Sequence, residues 1–236
     1  MQPLKNIIFF TAFLVTSAVS AAEKPVAVRG VIDLKSADLN QPIELKGEWQ
    51  LRWQALHVSG KTAAPGPAEY VRAPRAWNNE VFSGHKLPGA GYATYSLRVL
   101  LPPLKNPVGL TMNEQGTAVR VFVNGKETGN MGTVSAEKKG ATPETRPLTI
   151  LLTEVAETLD IDVQISNFDY RKGGMWNGIF IGSRSTIQKK IRTQQLLEVF
   201  AAGCLLIIAA YHFGIYIFYR RAARRCCLPC SVLRYS

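Results

Sequence analysis

The sequence predicts an all-β domain, a jelly-roll β-sandwich, followed by one transmembrane α-helix. Short runs of alternating apolar and polar residues, bounded by glycine, proline and asparagine, fill the stretch between residues 23 and 188. Helical periodicity is nearly absent from that stretch. A run of 23 residues, Leu197–Tyr219, then follows it, and Glu198 is its one charged side chain. Many short strands with frequent turns are typical of a sandwich, and the apolar run has the length of a membrane helix.

The first element is a predicted signal peptide over residues 1–22. Lys5 precedes a short apolar run, Ile7–Val19, and small residues follow it at Ala21 and Ala22. A positive start, a short apolar segment and a small-residue cleavage site are typical of an exported chain. The alternative is an N-terminal anchor that is not cleaved.

The predicted strands lie in an extracytoplasmic domain over residues 23–186. Asn124-Gly125 separates two alternating runs and predicts a hairpin with a type I′ turn. Pro65–Pro67, Pro102-Pro103 and Pro143 predict loops, because proline cannot donate to a central ladder. The main strand candidates are Val28–Leu34, Ile43–Trp53, Ala93–Leu101, Val108–Met112, Ala118–Val123, Pro147–Leu152 and Leu159–Ile165.

A helical stalk over residues 187–196 is predicted to lead into the membrane helix, Leu197–Tyr219. At 1.5 Å per residue this run spans a hydrocarbon core of about 30 Å. The tail, residues 220–236, begins with Arg220 and Arg221, and basic residues stay on the cytoplasmic side. We therefore predict a single-pass protein of the inner, cytoplasmic membrane with its N-terminal domain periplasmic or extracellular. The alternative for the apolar run is a buried core helix.

The net charge of +11 does not indicate nucleic-acid binding. Residues 23–188 hold 19 basic and 16 acidic side chains, a net of +3, which is an ordinary balance for a globular domain. Most of the excess lies beside the two apolar runs and in the tail, where it sets orientation. The predicted partners are a membrane and a small ligand such as a carbohydrate, with a second copy of the chain as a further candidate. No cofactor and no nucleic acid are predicted.

Cysteine usage agrees with this layout, because residues 23–186 contain none and need no disulfide. Cys204 falls in the membrane run, and Cys227 and Cys230 in the tail form only half of a zinc-ribbon spacing. Palmitoylation is an alternative for the tail, and so is a tail without function. His212, inside the membrane run, is either a functional or a packing residue. No metal site is predicted.

Six segments occur in a recognisable order within residues 26–221. They are Gly47-Glu48-Trp49, Ala73–Asn78, Gly91–Val99, Gly116–Gly125, Gln164–Phe168 and Arg171–Trp176, with Ile181-Gly182 after the last. Together they resemble the extracytoplasmic domain of bacterial seven-transmembrane receptors with diverse intracellular signalling modules. That domain is similar to a galactose-binding-like jelly roll, related to the sugar-binding domains of family 2 glycosidases.

The resemblance implies an exported sensor, seven membrane helices and a cytoplasmic output such as a diguanylate cyclase, a histidine kinase, a phosphatase or a nucleotide cyclase. This sequence departs from that pattern, because no second apolar run of sufficient length follows Arg221. We expect a frameshift or truncation of the coding sequence beginning near Ala222. Such a product lacks the output module.

Seven residues are the candidate ligand contacts. Aromatic rings stack on sugar faces, and amides or charged groups fix hydroxyl groups, so loops that carry both are favoured. The candidates are Trp77, Asn78, Glu114, Asn167, Tyr170, Arg171 and Trp176. The alternatives are core packing for the two tryptophans and loop-closing hydrogen bonds for Glu114 and Asn167. Core positions are predicted for the strand aromatics Trp49, Trp53, Tyr95 and Phe122, and solvent-facing positions for Arg98 and Arg120.

The sequence does not predict an enzyme. A glycosidase needs two carboxylates that face one cleft, and no spacing supports Glu114 with Asp160 or Asp169. Gly-x-Ser-x-Gly does not occur, and the three histidines have no metal-ligand spacing. The predicted function is ligand sensing by the extracytoplasmic domain of a membrane receptor. The alternative is an interaction or dimerisation domain of an envelope protein that binds no small ligand.

Overall fold

The computed structural model describes residues 24–61, 68–103, 107–153 and 156–226. The predicted signal peptide, the loop at Pro65–Pro67 and the tail from residue 227 lie outside the described residues. Within them the chain forms thirteen strands and one long helix. The strands are β1 (Val31–Asp33), β2 (Ile43–Glu44), β3 (Gly47–Trp53), β4 (Glu69–Ala73), β5 (Val81–Phe82), β6 (His85–Lys86), β7 (Gly91–Leu100), β8 (Val108–Met112), β9 (Ala118–Val123), β10 (Lys126–Met131), β11 (Leu148–Leu152), β12 (Thr158–Asn167) and β13 (Ile179–Ser183), and α1 runs over Arg184–Cys226.

Two sheets enclose the core, and their pairing is almost entirely antiparallel. The larger sheet has the order β10-β9-β12-β7-β3-β4, and β1 adds to β7 in parallel. The smaller sheet has the order β11-β8-β13-β2, while β5 and β6 form a separate short hairpin. Alternate residues of the central strands point inward and are buried together in one cluster. The all-β sandwich followed by one helix is therefore confirmed.

The core contains most of the strand aromatics that the alternation placed there. Trp49 and Tyr95 are fully buried, and Trp53 is partly buried against the core cluster. Phe122 is also buried, but it lies outside that cluster. Its neighbours on β9 point into the core, and it pairs in register with Asp162 on the opposite, outer face. The predicted burial of Phe122 is therefore confirmed, although the residue packs on the outer face of the sheet and not in the main cluster.

Turn residues explain where the strands end. Asn124 and Gly125 have φ of 49° and 74°, so both central residues of the β9–β10 hairpin adopt the left-handed conformation that a type I′ turn requires. The predicted run Val28–Leu34 is shortened because Arg29 and Gly30, with φ of 47° and 76°, form another such turn. The run Ile43–Trp53 is likewise split before Gly47, which has φ of 126°.

The helix α1 begins directly after β13, with no intervening loop. Ser183 ends the strand, and its hydroxyl group lies 2.8 Å from that of Thr186 in the first helical turn. The backbone N–H of Arg184 donates to the carbonyl oxygen of Pro107 at 3.2 Å. The helix starts before the predicted stalk and continues through the predicted membrane run without a break.

Among the described residues, α1 is the one helix that is long and apolar enough to cross a membrane. Its apolar side chains beyond Gln195 are exposed on all sides. A buried core helix, the alternative for this run, would pack against the sandwich, and the exposure excludes it. The length and composition are consistent with a single-pass membrane protein.

Candidate functional site

Six of the seven candidate residues belong to three segments at one end of the sandwich, and the seventh, Asn167, is the last residue of β12. These segments are residues 74–90, 113–117 and 168–178, which precede or follow the paired ends of five strands. Asn167 pairs with Gly91, Ser166 with Ala118, and Ile179 with Met112, so the register brings the three segments to the same edge. We call this edge the loop end.

Trp77 fills the centre of the loop end and is fully buried. Its indole Nε1 donates to the carbonyl oxygens of Pro88 at 2.9 Å and Gly89 at 3.2 Å. Its ring meets that of Trp53 edge to face, with 5.0 Å between the centroids. Such contacts are typical of a core residue. In this structure Trp77 seals the core and presents no surface to a ligand.

Asn167 and Asn78 join the segments to one another. The amide of Asn167 is buried and donates to the carbonyl oxygens of Gly89 at 2.8 Å and Tyr170 at 2.6 Å. Its Oδ1 accepts from the backbone N–H of Tyr170 at 3.0 Å. Asn78 Oδ1 accepts from the N–H of Gly173 at 3.3 Å. These hydrogen bonds position the loops, which is the loop-closing role that was the alternative for Asn167.

Tyr170 and Trp176 form the aromatic surface of the loop end. Tyr170 is 56% exposed and Trp176 is partly buried. Both rings lie against Gly116, where an added Cβ would come within 3.3 Å of the tyrosine ring and 3.5 Å of the indole. Gly116 also has a φ of +62°, which disfavours larger residues. The glycine therefore allows the two rings to approach each other.

Two buried polar atoms beside this surface have no hydrogen-bond partner among the described residues. They are the indole Nε1 of Trp176 and the hydroxyl Oγ1 of Thr117, next to Gly116. An unsatisfied buried group costs about 1–3 kcal/mol. A ligand or a water that reached these atoms would recover that free energy. The remaining candidates, Glu114 and Arg171, are exposed at the rim.

Gln115 is the residue of this site that the sequence did not reveal. Its side chain is fully buried and its Oε1 accepts from the backbone N–H groups of Trp176 at 3.1 Å and Asn177 at 3.0 Å. Its Nε2 donates to the carbonyl oxygens of Asn113 at 3.2 Å and Asn177 at 2.9 Å. Gln115 thus holds the segment that carries Trp176. A polar residue in a loop gives no sequence signal that distinguishes this role from exposure.

Tyr95 lies beneath the loop end and is fully buried. Burial raises the pKa of its phenol well above the ordinary value. The backbone N–H of Met175 offsets part of this effect, although it forms no well-aligned hydrogen bond with the phenol oxygen, and the charge of Glu80 adds a little. The phenol is therefore neutral across the physiological range and supplies the loop end with no charge.

Two of the three carboxylates considered for hydrolysis, Asp160 and Asp169, form ion pairs away from Glu114. Asp160 forms a two-point pair with Arg98, with Nε to Oδ1 at 2.7 Å and Nη2 to Oδ2 at 3.1 Å. This pairing raises the pKa of Arg98. Asp169 contacts Lys138 at 2.9 Å. Over the described ranges, no group of three or more His, Cys, Asp or Glu side chains is arranged to hold a metal ion.

No family model and no curated protein sequence matches the chain. Among solved structures, it is similar to a Faecalibacterium prausnitzii beta-glucuronidase, with 16% identity over 60% of this chain and 31% of that one and a TM-score of 0.44. It is also similar to a beta-glucuronidase from an uncultured Clostridium species, with 14% identity over 61% of this chain and 29% of that one and a TM-score of 0.47. The chain thus spans less than a third of the length of either. The resemblance to the receptor family stays a prediction.

Proposed function

We propose that the sandwich is the ligand-sensing extracytoplasmic domain of a membrane signal-transduction receptor and binds a small molecule such as a carbohydrate at the loop end. The observation that carries this proposal is the position of Trp176. Three residues after it β13 begins, and β13 continues directly into α1. One short stretch of chain therefore joins the aromatic surface to a helix that can cross a membrane.

The surface at Tyr170 and Trp176 supplies the groups that sugar recognition needs. The exposed ring of Tyr170 offers a stacking face, and Arg171 and Glu114 at the rim can orient hydroxyl groups. The unpartnered Nε1 of Trp176 supplies a donor once the surrounding loops separate slightly. Binding that is stronger in the separated state shifts the population of loop conformations, as signalling requires.

The test measures binding to the full-length chain in detergent micelles. A glycan array and thermal-shift screen of the wild type identifies a stabilising sugar, and the variants Tyr170→Ala and Trp176→Phe are then titrated with it. We expect about tenfold weaker binding in each variant. Val81→Ala is the matched control, because Val81 is exposed on β5 beside the same segments.

Each other outcome counts against a stated part of the proposal. A chain that no sugar stabilises and that self-associates on sedimentation would favour the dimerisation domain. Binding that both aromatic variants retain would exclude the loop end as the site. We propose binding without catalysis, so no turnover of a chromogenic glycoside is expected. Turnover that Glu114→Ala abolishes would contradict this.

A further inference from the structure

The outer face of the larger sheet is polar across three neighbouring strands. In β3, β7 and β12 the inward residues are apolar, and the residues between them point away from the core. The register places Gln50, Ser96 and Asp162 side by side in one row. Arg98 and Asp160 form the next row.

A segment over residues 54–61 crosses this face and is fixed to it by side chains of the sheet. Asp162 is fully buried and accepts from the backbone N–H of Ser59 at 2.7 Å and from its hydroxyl at 2.9 Å. Ser96 donates to the same carboxylate at 2.6 Å. Nearer the start of the segment, Thr94 Oγ1 donates to the carbonyl oxygen of Ala55 at 2.7 Å. These bonds make one rigid wall along the face.

The opposite wall is the tight turn at Arg29 and Gly30. The carbonyl oxygen of Gly30 accepts from the N–H of Arg98 at 2.8 Å, and its own N–H donates to the carbonyl oxygen of Glu48 at 3.0 Å. The ring of Tyr70 lies against Gly30, where an added Cβ would come within 3.3 Å of it. The turn is therefore held by both neighbouring strands and has a fixed position relative to the ring.

Between these walls lies a groove of about 240 Å³, which we call the sheet groove. Its size is below the roughly 300–1,000 Å³ of pockets for drug-sized ligands, so it suits one small ring or group. Its lining includes the side chains of Arg29, Gln50, Tyr70, Arg98 and Asp160.

The charges in the sheet groove are not balanced. Asp160 and Arg98 neutralise one another through their two-point pair. Arg29 is exposed, and the carboxylate of Glu48 accepts from its backbone N–H at 3.0 Å. Among the described residues no carboxylate lies within ion-pair distance of the Arg29 guanidinium group. That group lies 5.8 Å from the ring centroid of Tyr70, which is itself 45% exposed. The groove therefore combines a guanidinium group outside any ion pair with a partly exposed aromatic ring, one face of which lies beneath that group.

The amide of Gln50 and the carboxylate of Asp160 complete the set of polar groups. Gln50 Oε1 already accepts from Arg52 Nη1 at 2.9 Å, so its Nε2 protons are the groups left to donate. The carboxylate of Asp160 is held in one orientation by Arg98 and can accept from further hydroxyl groups. A planar donor and a planar acceptor at fixed positions suit neighbouring hydroxyl groups.

From these contacts we propose that the sheet groove is a second binding site, for a saccharide unit that carries a carboxylate. The sugar ring lies on Tyr70, its carboxylate pairs with Arg29, and its hydroxyl groups meet Gln50 and Asp160. The site is separate from the loop end, because Asn167 lies seven positions after Asp160 along β12, about 23 Å of extended strand. The site goes beyond the proposed function, since it concerns another surface.

The test uses the full-length chain in detergent micelles and isothermal titration calorimetry. The probes are D-glucuronate and D-galacturonate, each with its neutral counterpart, D-glucose and D-galactose. We expect at least one acidic sugar to bind about tenfold more tightly than its neutral counterpart. Arg29→Gln should remove that preference, and Tyr70→Ala should weaken both sugars of the pair. Added salt should weaken only the acidic sugar, because the contact with Arg29 is exposed.

The control variant is Arg72→Gln, which removes the same charge from an exposed position on β4 outside the groove lining. It should leave the preference unchanged, as should Trp176→Phe at the loop end. Equal binding of acidic and neutral sugars overturns the proposed ligand class. Binding that survives both Arg29→Gln and Tyr70→Ala, or no binding of any probe to the folded wild type, overturns the site. If Trp176→Phe loses binding at the loop end while the acidic sugar still binds the sheet groove, the proposed function fails or holds independently of the groove site.

Discussion

Ile187, in the first turn of α1, packs directly on Gly109, the second residue of β8. A Cβ added to Gly109 would lie 3.0 Å from Cγ1 of Ile187, closer than ordinary van der Waals contact, and Ile187 itself is fully buried. The helix is therefore attached to the smaller sheet twice, through its chain connection to β13 and through this contact with β8. The attachment depends on the absence of a side chain at one position.

Gly109→Ala should loosen the contact between α1 and the sandwich. The added methyl group forces Ile187 to move, and overpacking of this kind costs about 1–3 kcal/mol. Thermal unfolding of the full-length chain in micelles should show a lower midpoint, and Ile187→Ala, which removes both Cγ atoms, should lower the midpoint less in the Gly109→Ala background than in the wild type. Gly203→Ala is the control, because no atom lies within 4 Å of the added group there. An unchanged midpoint in Gly109→Ala would show that the contact is not tight.

Trp77→Phe should reduce stability through lost hydrogen bonds. It keeps an aromatic ring but leaves the carbonyl oxygen of Pro88 without its donor, at a cost of about 1–3 kcal/mol, while Gly89 keeps the hydrogen bond from Asn167. Trp77→Ala also opens a cavity and should cost about 3–5 kcal/mol. Urea unfolding measures both. A Trp77→Phe chain of normal stability that has lost ligand binding would indicate direct contact with the ligand instead.

Gln115→Ala should release the segment that carries Trp176. It removes the acceptor of two backbone N–H groups, those of Trp176 and Asn177. We expect hydrogen exchange at these two amides to rise about tenfold through local opening, with little change in β12. Gln115→Glu keeps the acceptor oxygen and should have a smaller effect on these amides. Glu114→Gln is the neighbouring control, and faster exchange there would mean that the segment is held by other contacts.

Tyr95 should make the domain sensitive to alkali. Its folded-state pKa lies above the unfolded value of 10.0, so the stabilising contribution is complete below about pH 10 and is lost as the pH rises from there toward the folded pKa. Tyr95→Phe should therefore lose less stability than the wild type between about pH 10 and pH 11. Urea unfolding at a series of pH values tests this. Tyr170→Phe, at an exposed ring, is the control, and equal slopes in Tyr95→Phe and wild type would refute the prediction.

The fold class followed from patterns that depend on neighbouring residues alone. Alternation along β8 and β9 predicted both strands with the ends that the structure shows. Asn124-Gly125 predicted the hairpin, because two adjacent residues determine its turn. The strands that escaped prediction are short or weakly patterned. β4 is one of them, and β13 is an apolar run of five residues that alternation cannot distinguish from a loop or helix start.

The candidate site was harder to predict, because burial in loops depends on contacts between distant segments. Trp77 and Tyr170 both occur beside turn residues in the sequence, yet one is buried and the other 56% exposed. The difference arises from Gly89, whose carbonyl oxygen binds Trp77 and Asn167 across the loop end. The sheet groove could not be predicted from the sequence for the same reason. Arg29 and Asp160 are far apart in the chain, and only the parallel pairing of β1 with β7 places them at one surface.

The direct junction of β13 with α1 leaves no flexible hinge between the sandwich and the helix. Hinge residues must be free to change φ and ψ, and here the backbone N–H groups of Ser183 and Arg184 donate to the carbonyl oxygens of Leu39 and Pro107. Torque on the helix axis therefore passes into β13, whose other end lies beside Trp176. A neighbouring helix in contact with α1 would experience a change at the loop end as a change in the face that α1 turns toward it.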